Sequence, residues 1–181
     1  VGFSIKTITR NPNWKNDYTL FQHDVKISKN SAKSNVTAGG SLIDAADAVQ
    51  QPQQQKQMYA QAIEYLDRAL QIHPDYVDAL LLRGNAEFKL NKNVAGALEY
   101  YFDILELAPE NINVPKNILI LLNSTKSASY QIEVIDRYLA YNPDNFEMLL
   151  RKGELYGKSL KQFDRAEEAF RAASKVRPND V

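Results

Sequence analysis

Apolar positions recur along this chain with the period of an α-helix, and the runs are punctuated by prolines at a nearly fixed interval. Pro74, Pro109, Pro143 and Pro178 are separated by 35, 34 and 35 residues. Twelve, eight and five residues before each proline stand Ala62, Leu66 and Ala69; Ala97, Tyr101 and Ile104; Gln131, Ile135 and Tyr138; and Ala166, Phe170 and Ala173. Such offsets place three side chains on one helical face. A proline cannot continue the hydrogen-bond ladder of a helix, so each one predicts a stop and a turn. Asp75, Glu110 and Asp144 follow the first three prolines as turn residues or caps. Trp14, Tyr18, Phe21 and Val25 also fall at helical spacing and predict an amphipathic helix within residues 11–31.

Each interval holds an earlier helical set: Asn35, Ala38, Gly39 and Leu42; Leu80, Arg83, Gly84 and Glu87; Pro115, Ile118, Leu119 and Leu122; Leu149, Lys152, Gly153 and Tyr156. Gly39, Gly84 and Gly153 are small where a first helix would meet a second at close range, with Ala62, Ala97 and Ala166 as small counterparts. The two sets together resemble the tetratricopeptide pattern W-x2-L-G-x2-Y, A-x3-F, P at about 34 residues per unit. The resemblance covers residues 32–178. It implies an all-α fold, a right-handed superhelical α-solenoid of stacked helix-turn-helix repeats.

The expected organisation is an extended leader at 1–10, a half-repeat capping helix at 11–31, and repeats at 32–74, 75–109, 110–143 and 144–178, with a tail at 179–181. The third repeat is degenerate: Leu119 stands where glycine is expected and Gln131 where alanine is, so its helices should cross more widely or rotate. In the first repeat the interval from Gly39 to Ala62 is 23 residues, against 13 in the second and fourth. The extra material is glutamine-rich, Val49 through Gln57. It reads as a solvated loop or lengthened helix ends, with a partner-reading insertion on one rim as the alternative.

Composition narrows the chemistry. Lysine plus arginine and aspartate plus glutamate both number 22, so no net field draws in nucleic acid. There are no cysteines, which removes disulfides and thiolate metal sites. His73 reads as a solvated turn residue and His23 as a half-buried packing residue. Tyr100, Tyr101, Tyr138, Tyr141 and Tyr156 fall on packing positions rather than forming stacking platforms. No phosphate loop, carboxylate pair or nucleophile with a base stands out, and neither a catalytic residue, a metal site nor a cofactor is expected. No apolar run reaches the ~20 residues needed to span a bilayer. The sequence starts at Val1 and stops straight after a repeat, which reads as a piece of something longer.

Arg10-Asn11-Pro12-Asn13-Trp14, with Asp17, Leu20-Phe21 and Ser31-Ala32-Lys33, resembles a second pattern. Multi-pass membrane glycosyltransferases of the dolichyl-phosphate-mannose protein mannosyltransferase type carry a similar stretch between their last membrane helix and a repeat tail. The resemblance implies an extracytoplasmic (periplasmic) domain of a membrane protein, with a cytoplasmic location as the alternative. It implies context, not activity.

In stacked helix pairs the first helices line a concave face, and residues not spent on packing project into it. By spacing these are Lys33, Val36, Gly40 and Ile43; Asp78, Leu81, Asn85, Phe88 and Lys89; Asn113, Lys116, Asn117 and Ile120; and Glu147, Leu150, Arg151, Glu154 and Lys158. Leu81, Asn85, Phe88, Lys89, Lys116, Asn117, Ile120, Leu150, Arg151 and Glu154 are the expected partner contacts. Some members of the resembled family clamp a terminal carboxylate, and Asn85, Asn117 and Arg151 match that arrangement. Leu81 and Glu147 replace two of its cations, which weakens such a clamp by charge-assisted bonds worth roughly 1.5–3 kcal/mol each. The expected function is a scaffold binding a protein or peptide in the groove, not an enzyme. A free-standing adaptor or co-chaperone is the alternative, and a glycosyltransferase using repeat residues is a third reading. Phe163 and Phe170 at the last repeat are expected to be incompletely shielded, inviting a homodimer.

Overall fold

The structure is a computed structural model and describes residues 17–178. The expected leader 1–10, Trp14, the side chain of Tyr18 and the tail 179–181 lie outside the described residues. Among those described, every regular element is helical: α1 Asp17–Ile27, α2 Ala32–Ala48, α3 Pro52–Ile72, α4 Val77–Asn91, α5 Val94–Leu107, α6 Asn113–Asn123, α7 Ala128–Tyr141, α8 Phe146–Glu154 and α9 Phe163–Val176. A π-helical stretch, Leu155–Leu160, continues α8. The all-α expectation holds. The chain divides into two compact units, residues 1–103 and 104–181.

In the first unit, α2 and α3 pair around Leu42, Ile43, Ala46, Tyr59, Ala62 and Leu66, joined by Ala86 of α4. Leu42 and Leu66 are fully buried, and each such side chain contributes about 2 kcal/mol through removal from water. Glycine sets how near the helices come. A Cβ on Gly39 would lie 2.8 Å from Leu66 Cγ and 3.2 Å from the Ala62 carbonyl oxygen; one on Gly84 would lie 2.7 Å from Tyr101 Cε1 and 3.1 Å from the Ala97 carbonyl oxygen. Buried Asn35 fixes the entry to α2, its Nδ2 donating to the Lys29 and Ser31 carbonyls at 2.8 Å each. Ser31 caps that helix, accepting from the Ser34 amide.

The glutamine-rich segment is not a free loop. α2 runs on to Ala48 and α3 already begins at Pro52, so the extra residues lengthen both helices. Pro52 fits the first helical position, where its missing N–H costs nothing. Gln55 Nε2 donates to the Ala46 carbonyl at 3.0 Å and the Tyr59 hydroxyl donates to Asp47, so the extension is tied back to α2.

In the second unit the α8–α9 pair repeats the glycine device: a Cβ on Gly153 would stand 2.6–2.9 Å from the Phe170 ring. The α6–α7 pair has no such contact. Its Gln131 is buried, and Nε2 donates to the Thr125 carbonyl at 2.9 Å while Oε1 accepts from Arg151 Nη2 at 3.0 Å. The turns are linked in series, because Asn142 Nδ2 donates 2.7 Å to the carbonyl of Pro109. Asparagine, rather than Glu110 or Asp144, caps here: Asn111 Oδ1 accepts from the Asn113 and Val114 amides and Asn145 Oδ1 from the Met148 amide. Asp75 and Asp144 sit in the turns themselves.

Candidate functional site

The first unit carries an open groove of about 690 Å³. Phe21 of α1 lines it together with Val36, Thr37, Gly40, Ser41, Asp44 and Ala45 of α2 and Asp78, Leu81 and Leu82 of α4. The two long walls are thus first helices of successive pairs. Leu81 is among the expected contacts and lies in this groove; Asp78, Val36 and Gly40 do as well. Gly40 leaves room there, since a Cβ would meet Leu82 Cδ1 at 3.3 Å.

The other expected residues of this unit are engaged elsewhere. Ile43 is buried in the core, which corrects the expectation that it projects outward. Lys89 Nζ donates to Asp47 Oδ1 at 2.6 Å and lies 5.8 Å from the Tyr59 ring centroid. Burial pushes the Asp47 carboxyl up, but hydrogen bonds from Lys89 and Tyr59 and the lysine charge hold it below its ordinary value. Burial and then the Asp47 contact push the Tyr59 phenol up. Asn85 accepts from the Tyr101 hydroxyl at 2.6 Å, and the Phe88 ring is covered by Lys92 Nζ at 5.2 Å. Arg83 donates to Asp67 (2.7 Å) and Glu87 (2.8 Å) and sits 5.0 Å from the Tyr100 ring centroid. The hydrogen bond from Arg83 holds Glu87 below the ordinary carboxylate range.

In the second unit a smaller cavity, about 440 Å³, is lined by Pro109, Ile112, Pro115, Lys116, Leu119 and Tyr138, with Asn142, Asn145 and Glu147 adding polar groups. Lys116 is an expected contact and is exposed; Ile120, one turn on, is 60% exposed, and Asn117 is half-buried between them. Arg151 is held by its own chain: Nη2 donates to Asn123 (3.3 Å) and Gln131 (3.0 Å), and Nη1 lies 3.7 Å from Glu154. Glu154 also accepts from Lys158 Nζ at 2.9 Å. Leu150 packs beside Phe146, Leu149 and Ala173. Glu147 pairs with Arg177 at 3.1 Å.

Spacing overlooked Phe21, Thr37, Ser41, Asp44, Ala45 and Leu82 as groove residues. The signal for Asp44 was present, because a step of four from Val36 and Gly40 lands on it. At the far end, Phe163 is 67% exposed and, with Gly157, Ala166 and Phe170, borders an apolar hollow of about 510 Å³. His73 is exposed and tilted against Tyr76, with ring centroids 5.6 Å apart, and His23 is half-buried beside Asp24. Among the described residues no group of three or more His, Cys, Asp or Glu is placed to hold a metal ion, and no helix is long and apolar enough to cross a membrane.

Family models for the tetratricopeptide repeat match residues 53–112 and 146–180. Over 192 aligned residues the sequence is similar to protein O-mannosyl-transferase TMTC3 of Mus musculus (24% identical) and of Homo sapiens (25% identical). Each match takes in 98% of this chain and 20% of the relative, so the chain spans about a fifth of the length of those proteins. Among solved structures the fold is similar to that of the MamA protein (TM-score 0.62, 14% identity, 97% of this chain and 91% of that one). It is also similar to MamA 41-end from Desulfovibrio magneticus RS-1 (0.59, 16%, 99% and 94%). A third is YrrB, a TPR protein with an unusual peptide-binding site (0.57, 16%, 98% and 81%). At these identities the likeness establishes the α-solenoid fold of stacked helix-turn-helix repeats.

Proposed function

Starting from the premise that this chain belongs to the tetratricopeptide repeat family, a protein–protein interaction fold, we propose that it holds a peptide or protein segment in the α1–α2–α4 groove. The observation that carries this reading is the groove itself: two successive first helices present Val36, Leu81 and Leu82 toward a hollow of about 690 Å³. A hollow with apolar walls and few polar groups suits an extended or helical segment laid along it. Lys116 and Ile120, exposed on the first helix α6, extend the same mode of contact to the second unit. The side chains engaged within the chain argue against a terminal-carboxylate clamp, since Arg151 and Asn85 already have partners. The repeat domain acts by binding, and any catalysis belongs to a larger parent.

The test is a random-peptide display library panned on the full chain. Selected peptides are expected to bind wild type and to lose about tenfold in affinity on Leu81→Gln, a neutral change that removes one apolar wall. Equal affinity for the variant overturns the groove.

The likeness to protein O-mannosyl-transferase TMTC3 over nearly the whole chain supports a place within a larger glycosyltransferase-like membrane protein. In that setting the repeats lie outside the cytoplasm and orient a protein substrate for the parent enzyme. The full-length gene tests this: several apolar segments of about 20 residues are expected upstream, and their absence leaves the free-standing adaptor.

A further inference from the structure

We propose that the α1–α2–α4 groove selects a segment bearing a lysine or arginine beside an apolar residue. This deepens the groove reading above and rests on it. Phe21, Val36, Leu81 and Leu82 give the groove an apolar lining, and two carboxylates line it as well, Asp44 from α2 and Asp78 from α4. Both aspartates are exposed, and neither has an ion pair or hydrogen bond among the described residues.

The neighbouring acids are in a different state. Asp47, one turn beyond Asp44, is paired with Lys89, and Asp67 and Glu87 share an ion pair with Arg83. Lys33, in the first turn of α2, is not among the groove-lining residues. Two carboxylates without an ion pair therefore line one hollow whose remaining lining is largely apolar. A lysine or arginine complements both features, since its alkyl stem lies on apolar surface while its head reaches a carboxylate. An acidic segment would bring like charges together, which disfavours it as an occupant.

The experiment uses the peptides selected by display on the full chain, read for composition and measured by fluorescence anisotropy against wild type, Leu81→Gln, and the double variant Asp44→Asn with Asp78→Asn. Both aspartates are exposed, so the double variant is expected to keep the wild-type circular dichroism spectrum and melting temperature. Selected peptides should place Lys or Arg next to a large apolar residue and bind the double variant about five- to tenfold more weakly, as two solvent-exposed ion pairs allow. Replacing the peptide's cation with glutamine should abolish that difference, and added salt should weaken binding to wild type more than to the double variant. Selected peptides rich in Asp or Glu, or unchanged affinity for the double variant alongside loss on Leu81→Gln, overturn the charge selectivity and leave the groove reading intact. Indifference to all three substitutions, or no enriched peptide, overturns both.

Discussion

The α4–α5 hairpin of the first unit and the α6–α7 hairpin of the second solve the same problem with opposite chemistry. In the first, Gly84 and Ala97 let the helices approach until Tyr101 sits against the glycine backbone, with its hydroxyl donating to Asn85 at 2.6 Å. In the second, a leucine and a glutamine hold the equivalent positions. Buried Gln131 bridges the Thr125 carbonyl and the Arg151 guanidinium. A repeat can thus give up close backbone approach if the group that replaces it satisfies its own hydrogen bonds, because an unsatisfied buried amide would cost about 1–3 kcal/mol. The same network explains why Arg151 looks like a ligand-binding residue in sequence and serves as a brace in the fold.

Several substitutions break or sharpen this contrast. The largest effect is expected at Gly84→Leu, where the added side chain meets Tyr101 and a backbone carbonyl that cannot yield; a loss of about 3 kcal/mol should appear in urea unfolding. The matched change Leu119→Ala should cost only about 1 kcal/mol, since that side chain is half-buried. Next is Gln131→Leu, similar in volume but unable to hydrogen-bond. It leaves the Thr125 carbonyl without its side-chain donor and removes the acceptor of Arg151 Nη2, so a loss of about 2 kcal/mol is expected by thermal or urea denaturation. A neutral result would show that the brace adds nothing to packing. The smallest effect is a gain: Lys161 ends a first helix with φ of 57°, so Lys161→Gly should raise stability by roughly 0.5–1 kcal/mol in the same assay.

The proline interval and the small residues twelve positions before most prolines made the helix pairs legible, because a stop signal and a close crossing each demand particular residue types. Gly39, Gly84 and Gly153 were readable as contact points for that reason, and the structure finds each against the second helix of its own pair. The groove was legible only in part. Leu81 and Asp78 could be placed by period, and Asp44 lies one step of four beyond Gly40, but Phe21 required knowing which side of α2 faces open space. Lys89, Asn85 and Arg151 showed the converse limit. Period predicts the face a side chain leaves from, not whether a neighbouring helix supplies its partner. For Lys89 that partner is Asp47, 42 residues earlier.

The glycine contacts within a helix pair join residues less than thirty positions apart: Gly39 with Leu66, Gly84 with Tyr101, Gly153 with Phe170. Little chain entropy must be surrendered to close such short loops, and low sequence separation between contacting residues goes with rapid folding. Assembly can begin at any one hairpin and spread to its neighbours. Damage confined to one pair, such as Gly84→Leu, should therefore unzip that stretch first and leave helices α8 and α9 protected in hydrogen exchange.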